Sequence, residues 1–370
     1  MAKQNKKDEK SNNSKAEKVV KILWKFFWGG IAAIVLLFVA ISLGLVGYMP
    51  PIEDLQNPID KYASQVYSSD NELLGTFSLS KENRIQSSFS DLSPHLVNAL
   101  VATEDARYYD HSGIDVEALG RVAVKTVLLF QGSSGGGSTI SQQLAKQLYS
   151  PKAANFIERA LQKPIEWVIA VKLERTYTKD EIVNLYLNKF DFLNNAVGIQ
   201  SASKVYFNKQ PKDLTIEEAA TLIGMCKNPA YFNPRRHLER TQGRRNVVLD
   251  QMRKNGYFTQ AEYDSYKLTP LKLDYKRVDH KEGIAPYFRE FLRKTMTSKK
   301  PSRSDYADWQ LEQYSRDSLA WETNPLYGWC FKNKKSDGSH YNIYSDGLKI
   351  YTTINAKMQE YAENAVTQHM

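Results

Sequence analysis

The segment from Phe26 to Ile52 contains no charged residue, and its middle, GGIAAIVLLFVAISLGLVGY, is as apolar as the interior of a bilayer. A helix rises about 1.5 Å per residue, so this segment is long enough to cross about 30 Å of hydrocarbon. A cleaved signal peptide is the alternative, but the apolar run is long for one, and the GYMP that follows Val46 offers no small-x-small cleavage site. The sequence therefore predicts an uncleaved transmembrane helix over residues 22–48.

Lysines dominate the residues before this segment, and cationic flanks stay on the cytoplasmic side of a membrane. Residues 1–21 are therefore predicted to form a cytoplasmic basic tail, with the rest of the chain on the outer or periplasmic side. Trp24 and Trp28 fall at the inner interface and Tyr48 at the outer one, as in the aromatic belts of membrane proteins. The predicted localisation is the cytoplasmic (inner) membrane, with a single pass.

The formal net charge of +9 exceeds what the tail supplies, so the outer part of the chain is basic as well. Anionic lipid headgroups or a phosphorylated substrate can use that charge, whereas nucleic acid is not expected as a partner outside a membrane. The two cysteines, Cys226 and Cys330, are too few for a disulfide framework and lack the spacing of a metal site.

The remaining chain divides by pattern. Residues 49–89 are predicted to be a stalk or linker with a strand pair around Asp70 and Asn71, and residues 90–256 are helical almost throughout. Residues 257–346 have a weaker pattern with Lys/Ser clusters and are predicted to be a linker region. Residues 347–370 begin a strand and a helix that lead into no further element, which suggests a truncated chain.

The first stretch that carries chemistry is ATEDARYYDHSGID, from Ala102 to Asp115. Helical spacing places Glu104 where the helix should end, and Ser112-Gly113 makes the turn. A pair of solvated carboxylates at a helix end is the ordinary interpretation. The neighbouring Arg107 and His111 favour the alternative, in which they orient or tune a functional carboxylate.

The second stretch is QGSSGGGSTISQQLAKQLYS. A glycine-serine run is typical of a flexible linker, but this one leads into a helix with Thr139 as N-cap and Gln142 completing a capping box. Helix N-termini favour anions, and Lys146 lies about two turns further along. This stretch is either a flexible linker or a phosphate site. It is not a nucleotide P-loop, because no GxxxxGK[ST] motif occurs.

The third stretch is FIERALQKPIEWVIAVKLERTYTKDEIVNLYLN. Arg159, Lys163 and Glu166 fall on one helical face, which is either a solvated salt-bridge stripe or a carboxylate held between cations that also serve a diphosphate. Pro164 is expected to break or kink the helix at this point.

These stretches, in this order behind an N-terminal anchor, resemble the family 51 glycosyltransferases, the peptidoglycan polymerase domain of class A penicillin-binding proteins. EDARYYDHSG matches the family's E-D-x-x-F-x-x-H-x-G except for Tyr108, and GGSTISQQ matches G-x-S-T-[IL]-[ST]-Q-Q. QKPIE keeps the lysine and glutamate of R-K-x-x-E but has Gln162 for the arginine. Two later stretches also look like family motifs. They are LYLNKFDFLNNAVGIQSASKVYFNK, with Asn208 where glycine is usual, and LTIEEAATLIGMCKNPAYFNPRRHLERTQGRRNVVLDQM, with Cys226-Lys227 where Leu-Pro is usual.

The resemblance implies a mainly α fold: a lysozyme-like helical glycosyltransferase domain behind one transmembrane helix, with a small β-containing stalk. It assigns residues 90–256 to the peptidoglycan glycosyltransferase domain and residues 347–370 to the start of a truncated transpeptidase-linked region. Transpeptidase activity is not expected, because the S-x-x-K and S-x-N matches are in the wrong order and no K-T-G occurs.

The activity that the resemblance implies is polymerisation of lipid II into glycan strands, with inversion and release of a polyprenyl diphosphate. Glu104 would be the catalytic base, and Glu166 a second catalytic carboxylate that positions cations or holds a divalent metal, Mg²⁺ or Mn²⁺. Substrate contacts are assigned to residues of all three stretches: Asp105, Arg107, His111, Ser138, Thr139, Gln142, Gln143, Lys146, Arg159 and Lys163. The implied partners are lipid II, the growing glycan strand, membrane lipids and other cell-wall synthesis proteins.

Two other functions remain as alternatives. A lytic transglycosylase or muramidase has a similar helical pattern and a catalytic glutamate, but it has no use for the lysines of a diphosphate site. A non-catalytic, membrane-anchored scaffold for cell-wall machinery is the other. The amphipathic ALGRVAVKTVLLF, between the first two stretches, is interpreted as an interfacial helix, with a core helix as the alternative.

Overall fold

The structure is a computed structural model that describes residues 2–47, 49–51, 55, 62–78, 85, 87–128, 137–150, 156–276 and 284–369. Within these ranges, the side chains of residues 2–17, 123–128, 156, 159 and 160 are not described.

The described part of the chain is mainly helical. Its helices are α1 (Ala2–Ser42), α2 (Pro94–Glu104), α3 (Val116–Leu128), α4 (Ile140–Tyr149), α5 (Phe156–Thr176), α6 (Lys179–Lys189), α7 (Ile199–Phe207), α8 (Ile216–Cys226), α9 (Leu238–Lys254), α10 (Gln260–Leu268), α11 (Pro286–Met296), α12 (Leu311–Thr323), α13 (Trp329–Lys332) and α14 (Ala356–His369). Short 3-10 turns occupy Phe89–Asp91, Tyr108–Asp110, Pro211–Asp213, Arg303–Asp305 and Asp308–Gln310. The strands are β1 (Ser64–Tyr67), β2 (Leu73–Phe77) and β3 (Lys349–Tyr351). The mainly α fold class is confirmed.

Helix α1 contains the predicted membrane segment. Its part from Lys18 to Ser42 contains an 18-residue stretch with a mean hydropathy of 2.2, and among the described residues it is the one helix long and apolar enough to cross a bilayer. The helix ends at Ser42, before the end of the charge-free segment.

The C-terminal end of α1 rests on α5. The ring of Phe38 stacks on Trp167 with centroids 6.2 Å apart, and Lys172 Nζ donates a hydrogen bond of 3.4 Å to the carbonyl of Ser42. Ile41 is fully buried in this contact region. The apolar helix is therefore joined directly to the helix that carries the third candidate stretch.

Helices α2 and α4 to α9 enclose the main core. Their inward faces supply fully buried aliphatic and aromatic side chains, among them Leu96, Leu100, Leu144, Ile169, Leu173, Tyr186, Val205, Leu222 and Leu249. Local sequence signals set several of the helix starts: Thr215 and Glu218 form the predicted capping box of α8, and Thr178 and Glu181 form another on α6.

The predicted strand pair around Asp70 and Asn71 is confirmed. Strands β1 and β2 are antiparallel, with Val66 opposite Gly75, and Asn71 takes a positive φ of 60° in the connecting turn. The structure adds a partner that the sequence did not predict, because β3 pairs with β1 in parallel and Val66 lies opposite Ile350.

A second, smaller core lies behind this sheet. It joins the strands to α11, α13 and α14 through buried apolar side chains: Val66, Leu74, Phe77, Leu292, Met296, Cys330, Ile343 and Ala356. The residues predicted as a stalk thus supply two strands, and those predicted as a linker supply several helices. The domain boundaries themselves stay a prediction.

Two local expectations are corrected. Helix α5 runs through Pro164, so the expected break does not occur. Proline has no N–H, so the helix loses one backbone hydrogen bond there. Ile165 and Ile169, which lie on either side of Glu166, pack against the core and hold the helix. On α4, Thr139 caps the helix as predicted, but Gln142 does not complete a capping box, because its amide Nε2 donates to the carbonyl of Gly113 instead.

Candidate active site

Glu104 is the last residue of α2, as its spacing predicted. The helix begins at Pro94 behind Ser93, whose hydroxyl accepts a hydrogen bond from the backbone N–H of His95. Glu104 lies in the wall of a cleft of about 380 Å³. The cleft is lined by residues of α2, α3, α9 and the two loops between α2 and α4: Ala102, Thr103, Glu104, Asp105, Ala106, Arg107, Asp115, Ala118, Arg121, Gly137, Ser138, Thr139, Arg244, Val247 and Gln251.

The carboxylate of Glu104 is held from two sides. Gln143 Nε2 on α4 donates to its Oε2 at 3.1 Å, and Arg244 Nη2 on α9 lies 3.7 Å from its Oε1. The side chain is 18% exposed, which leaves part of the carboxylate open to the cleft. Its position therefore suits a group that exchanges a proton with a bound molecule.

Asp105, the next residue, is turned inward. Its Oδ2 accepts a hydrogen bond of 3.0 Å from the backbone N–H of Ile140, and His111 Nε2 lies 3.0 Å from its Oδ1. Asp105 and His111 are both almost fully buried. These two predicted substrate contacts thus join the first stretch to the start of α4, and a direct contact with substrate stays a prediction.

Gly113 completes the connection between the first two stretches. Its carbonyl accepts hydrogen bonds from Thr139 Oγ1 at 2.7 Å and from Gln142 Nε2 at 3.2 Å. Its φ is +91°, and a Cβ atom there would lie 3.0 Å from the backbone of Ala170 on α5. Only glycine fits this turn without strain, because the backbone is left-handed and closely packed.

Arg107 fixes the start of α3. Its guanidinium hydrogen-bonds both oxygens of Asp115 and pairs with Glu117, while Asp115 Oδ1 accepts the backbone N–H of Ala118 at 2.9 Å. Burial raises the pKa of the Asp115 carboxyl, but these hydrogen bonds and the positive charge of Arg107 outweigh it and hold that pKa below its usual value. The arrangement orients α3, which carries Arg121 into the cleft.

Lys163 reaches from α5 towards the second stretch. Its Nζ donates to Ser138 Oγ at 3.3 Å and lies 2.8 Å from Glu166 Oε2. Glu166 is only 2% exposed, and its Oε1 accepts from Ser150 Oγ at 3.5 Å. The half-exposed ammonium is thus held at the edge of the cleft, next to the loop that a phosphate was predicted to occupy.

The structure describes the side chain of only one of the other two predicted cations. Lys146 is exposed on the last turn of α4 and lies outside the cleft lining. The side chain of Arg159 lies outside the described residues. Their contacts with substrate stay predictions.

The structure adds site residues that sequence reasoning missed. Arg244 approaches Glu104 and Arg121 lines the cleft, although neither was assigned a role. Tyr186 on α6 donates to Gln143 Oε1 at 3.2 Å behind the carboxylate. Arg244 and Tyr186 lie within the two later motifs, which was a signal of importance, but nothing in their spacing placed them at Glu104.

The predicted divalent metal was assigned to Glu166. Among the described residues, no group of three or more His, Cys, Asp or Glu side chains stands close enough to hold a metal ion. The ammonium of Lys163 already occupies the Glu166 carboxylate, and a second cation there would be repelled by it. These side chains do not fit a metal held by the protein alone.

The family comparison and the related proteins point to the same family. Residues 70–253 match the family described as Transglycosylase. Penicillin-binding protein 1A of Escherichia coli (strain K12) is 34% identical over 328 residues, which cover 87% of this chain and 32% of that protein. Penicillin-binding protein 1F of Bacillus subtilis (strain 168) is 34% identical over 263 residues, which cover 70% of this chain and 36% of that protein.

Among solved structures, the crystal structure of penicillin-binding protein 1A from Haemophilus influenzae aligns with a TM-score of 0.34 and 21% identity, over 82% of this chain and 29% of that chain. This chain spans about a third of the length of the relatives that it matches.

Proposed function

The chain belongs to the transglycosylase family through residues 70–253, and on this premise we propose that it is a peptidoglycan glycosyltransferase of bacterial cell-wall synthesis. It polymerises lipid II into glycan strands, with inversion at the donor's anomeric carbon and release of polyprenyl diphosphate. The observation that carries the proposal is the place of Glu104, a partly exposed carboxylate in a cleft whose edge holds the cation of Lys163.

Glu104 is the general base of this reaction. The 4-hydroxyl of the acceptor sugar is a poor nucleophile and needs an acceptor for its proton within hydrogen-bond reach. Gln143 and Arg244 hold the carboxylate by its two oxygens, so that the side chain does not have to be ordered when substrate binds.

The leaving diphosphate gathers negative charge as the glycosidic bond forms. Lys163 is placed to stabilise that charge, because Glu166 and Ser138 together fix its ammonium at the edge of the cleft. Arg121 lines the same cleft and adds a second positive charge. The transition state is oxocarbenium-like, as in glycoside hydrolysis.

A divalent cation, Mg²⁺ or Mn²⁺, is part of the proposal as a companion of the substrate diphosphate. When bound it would neutralise phosphate charge. Because the described side chains do not fit a protein-held ion, no step of the reaction is assigned to it.

The proposed location is the cytoplasmic membrane, with α1 crossing it and the glycosyltransferase residues on the outer side. The apolar part of α1 supports the crossing, and the lysines before it support the orientation. Protease added to intact spheroplasts should degrade the chain outside α1 and spare the tail, and the reverse pattern would overturn the orientation. Membrane lipids and other cell-wall synthesis proteins are the further partners proposed.

The decisive test is Glu104→Gln, which keeps the shape and hydrogen bonding of the side chain but cannot accept a proton. We expect polymerisation of labelled lipid II to fall at least about 100-fold, with lipid II binding nearly unchanged. Glu239→Gln is the matched control, because Glu239 is exposed at the start of α9 and lies outside the cleft lining. A Glu104→Gln protein that polymerises at the wild-type rate would refute the assignment.

The same assay separates the alternatives. A glycosyltransferase lengthens lipid II into polymer and leaves finished glycan intact. A lytic enzyme shortens finished glycan, and a scaffold does neither.

A further inference from the structure

We infer that Tyr186 is a positioning residue for the proposed reaction: its hydroxyl fixes the orientation of the Gln143 side-chain amide, which in turn holds Glu104 towards the cleft. The kinetic part of this inference rests on the proposed function, whereas the contact itself can be tested without activity.

The direction of the hydrogen bonds follows from the carboxylate. An ionised Glu104 only accepts, so Gln143 must turn its Nε2 towards it, which it does at 3.1 Å. The amide oxygen of Gln143 then faces the other way, where Tyr186 Oη donates to it at 3.2 Å. Rotating the amide by half a turn would set an oxygen against the carboxylate and leave the Tyr186 hydroxyl opposite an amide N–H₂.

Tyr186 is suited to this task because it is rigid and remains a donor. Its side chain is fully buried in the main core, with its ring centroid 6.1 Å from that of Phe190. Burial, the neighbouring Cys226 and the charge of Glu104 raise the pKa of its phenol well above the usual value. The hydroxyl therefore keeps its proton whenever the enzyme is active.

The other groups around Glu104 in the described structure do not orient the amide. Arg244 approaches the opposite carboxylate oxygen, Oε1. The thiol of Cys226 lies within hydrogen-bond reach of the Tyr186 hydroxyl. It donates to the carbonyl of Leu222 at 3.7 Å, and burial raises its pKa, so it stays neutral and its sulfur is a weaker acceptor for the Tyr186 proton than the Gln143 carbonyl. The side chain of Asp105, the next residue in the chain, is engaged by His111 and by the backbone N–H of Ile140. Removing the Tyr186 hydroxyl therefore leaves the Gln143 amide held at one end only, by Glu104, and so less firmly oriented.

The contact is tested with Tyr186→Phe in the full chain, purified in detergent micelles with ¹⁵N-labelled glutamine. The side-chain amide signals of Gln143 are identified by their loss in Gln143→Leu. In Tyr186→Phe these signals should shift or broaden. Tyr206→Phe is the matched control, because Tyr206 is also fully buried but donates to the carbonyl of Phe192 instead of to Gln143. Unchanged Gln143 signals in Tyr186→Phe would overturn the inference.

The kinetic consequence is tested by a double-mutant cycle on lipid II polymerisation. Tyr186→Phe should lower kcat about fivefold, the worth of one neutral hydrogen bond of about 1 kcal/mol, and leave KM unchanged. In a Gln143→Ala background the same change should cost nothing, because Tyr186 acts through Gln143. An equal loss in both backgrounds overturns the inference.

A second variant avoids the core tyrosine. Gln143→Leu should lower kcat at least as much as Tyr186→Phe does, and a wild-type kcat would overturn the inference. A wild-type protein that does not polymerise lipid II refutes the proposed function instead, while the amide signals still decide whether Tyr186 orients Gln143.

Discussion

Asp105 Oδ2 accepts a hydrogen bond of 3.0 Å from the backbone N–H of Ile140, so that the end of α2 and the first residue of α4 meet at one carboxylate. The base candidate Glu104 precedes Asp105, and the loop that faces the leaving group precedes Ile140. One buried side chain therefore sets the separation of the two halves of the proposed reaction.

Asp105→Ala should destabilise the protein and also slow the polymerisation that it catalyses. The N–H of Ile140 and the ring of His111 would lose their buried acceptor, which costs about 1–3 kcal/mol of the free energy of unfolding. Urea unfolding of the detergent-solubilised protein measures this loss. Asp110→Ala is the control, since Asp110 is exposed in the adjacent 3-10 turn. Equal midpoints for the two variants would contradict the finding.

Lys163→Ala should lower turnover at least tenfold, which is about 1.4 kcal/mol of transition-state stabilisation. The reason is that its ammonium, fixed by Glu166 and Ser138, faces the developing diphosphate charge. Lys146→Ala, measured beside it, is also predicted from the sequence to lose at least tenfold, although Lys146 lies outside the cleft lining. Wild-type turnover in Lys163→Ala would mean that the leaving group is held elsewhere.

Gly113→Ala should destabilise the fold by at least about 1 kcal/mol, because the new methyl group meets the backbone of Ala170 in a left-handed backbone conformation. Gly120→Ala serves as the matched control: this glycine is inside α3 with open space around it, and the change should stabilise the helix by up to about 1 kcal/mol. Thermal unfolding of both variants checks the opposite signs.

Acid should remove the contribution of Asp115 to stability. Its pKa is held below the usual value, so the stability that it adds is fully present above the carboxyl pKa of the unfolded chain and is lost as the pH falls through the folded value. The stability difference between wild type and Asp115→Asn should therefore be largest near neutral pH and shrink below about pH 4. A difference that stays constant down to acid pH would show that Asp115 acts only through its shape.

Chelation should separate a substrate-borne cation from a protein-held one. With EDTA in excess, we expect slower polymerisation but an unchanged melting temperature of the free protein, because the described side chains do not fit an ion. A lower melting temperature would show that the protein itself binds the metal.

The parts of the site that lie within one stretch of sequence were predictable. Helical spacing from His95 placed Glu104 at a helix end, and Thr139 is the N-cap of α4, because both features depend on residues three or four positions apart. The salt bridge between Lys163 and Glu166 follows from the same local rule.

The contacts between stretches were not predictable in this way. Arg244 reaches Glu104 across more than a hundred residues of chain, and Tyr186 reaches Gln143 from another helix, so only the packed core sets their distances. Gln142 keeps its backbone hydrogen bond to Thr139 Oγ1, but its side chain points to the carbonyl of Gly113, which only tertiary packing brings within reach. Pro164 shows the same effect on α5, where flanking core contacts outweigh a local signal.

The pairing of Val66 with Ile350 makes the order of synthesis matter. The β1–β2 hairpin is complete early, but a two-stranded hairpin alone is marginal in water, and its third strand is made much later because it lies far along the chain. Until then β1 presents an open edge, which is a hazard for misassociation while the chain emerges. Contacts so distant in sequence also form slowly. The helical core around Glu104 contains mostly nearer contacts, so it should reach its native state before the sheet does.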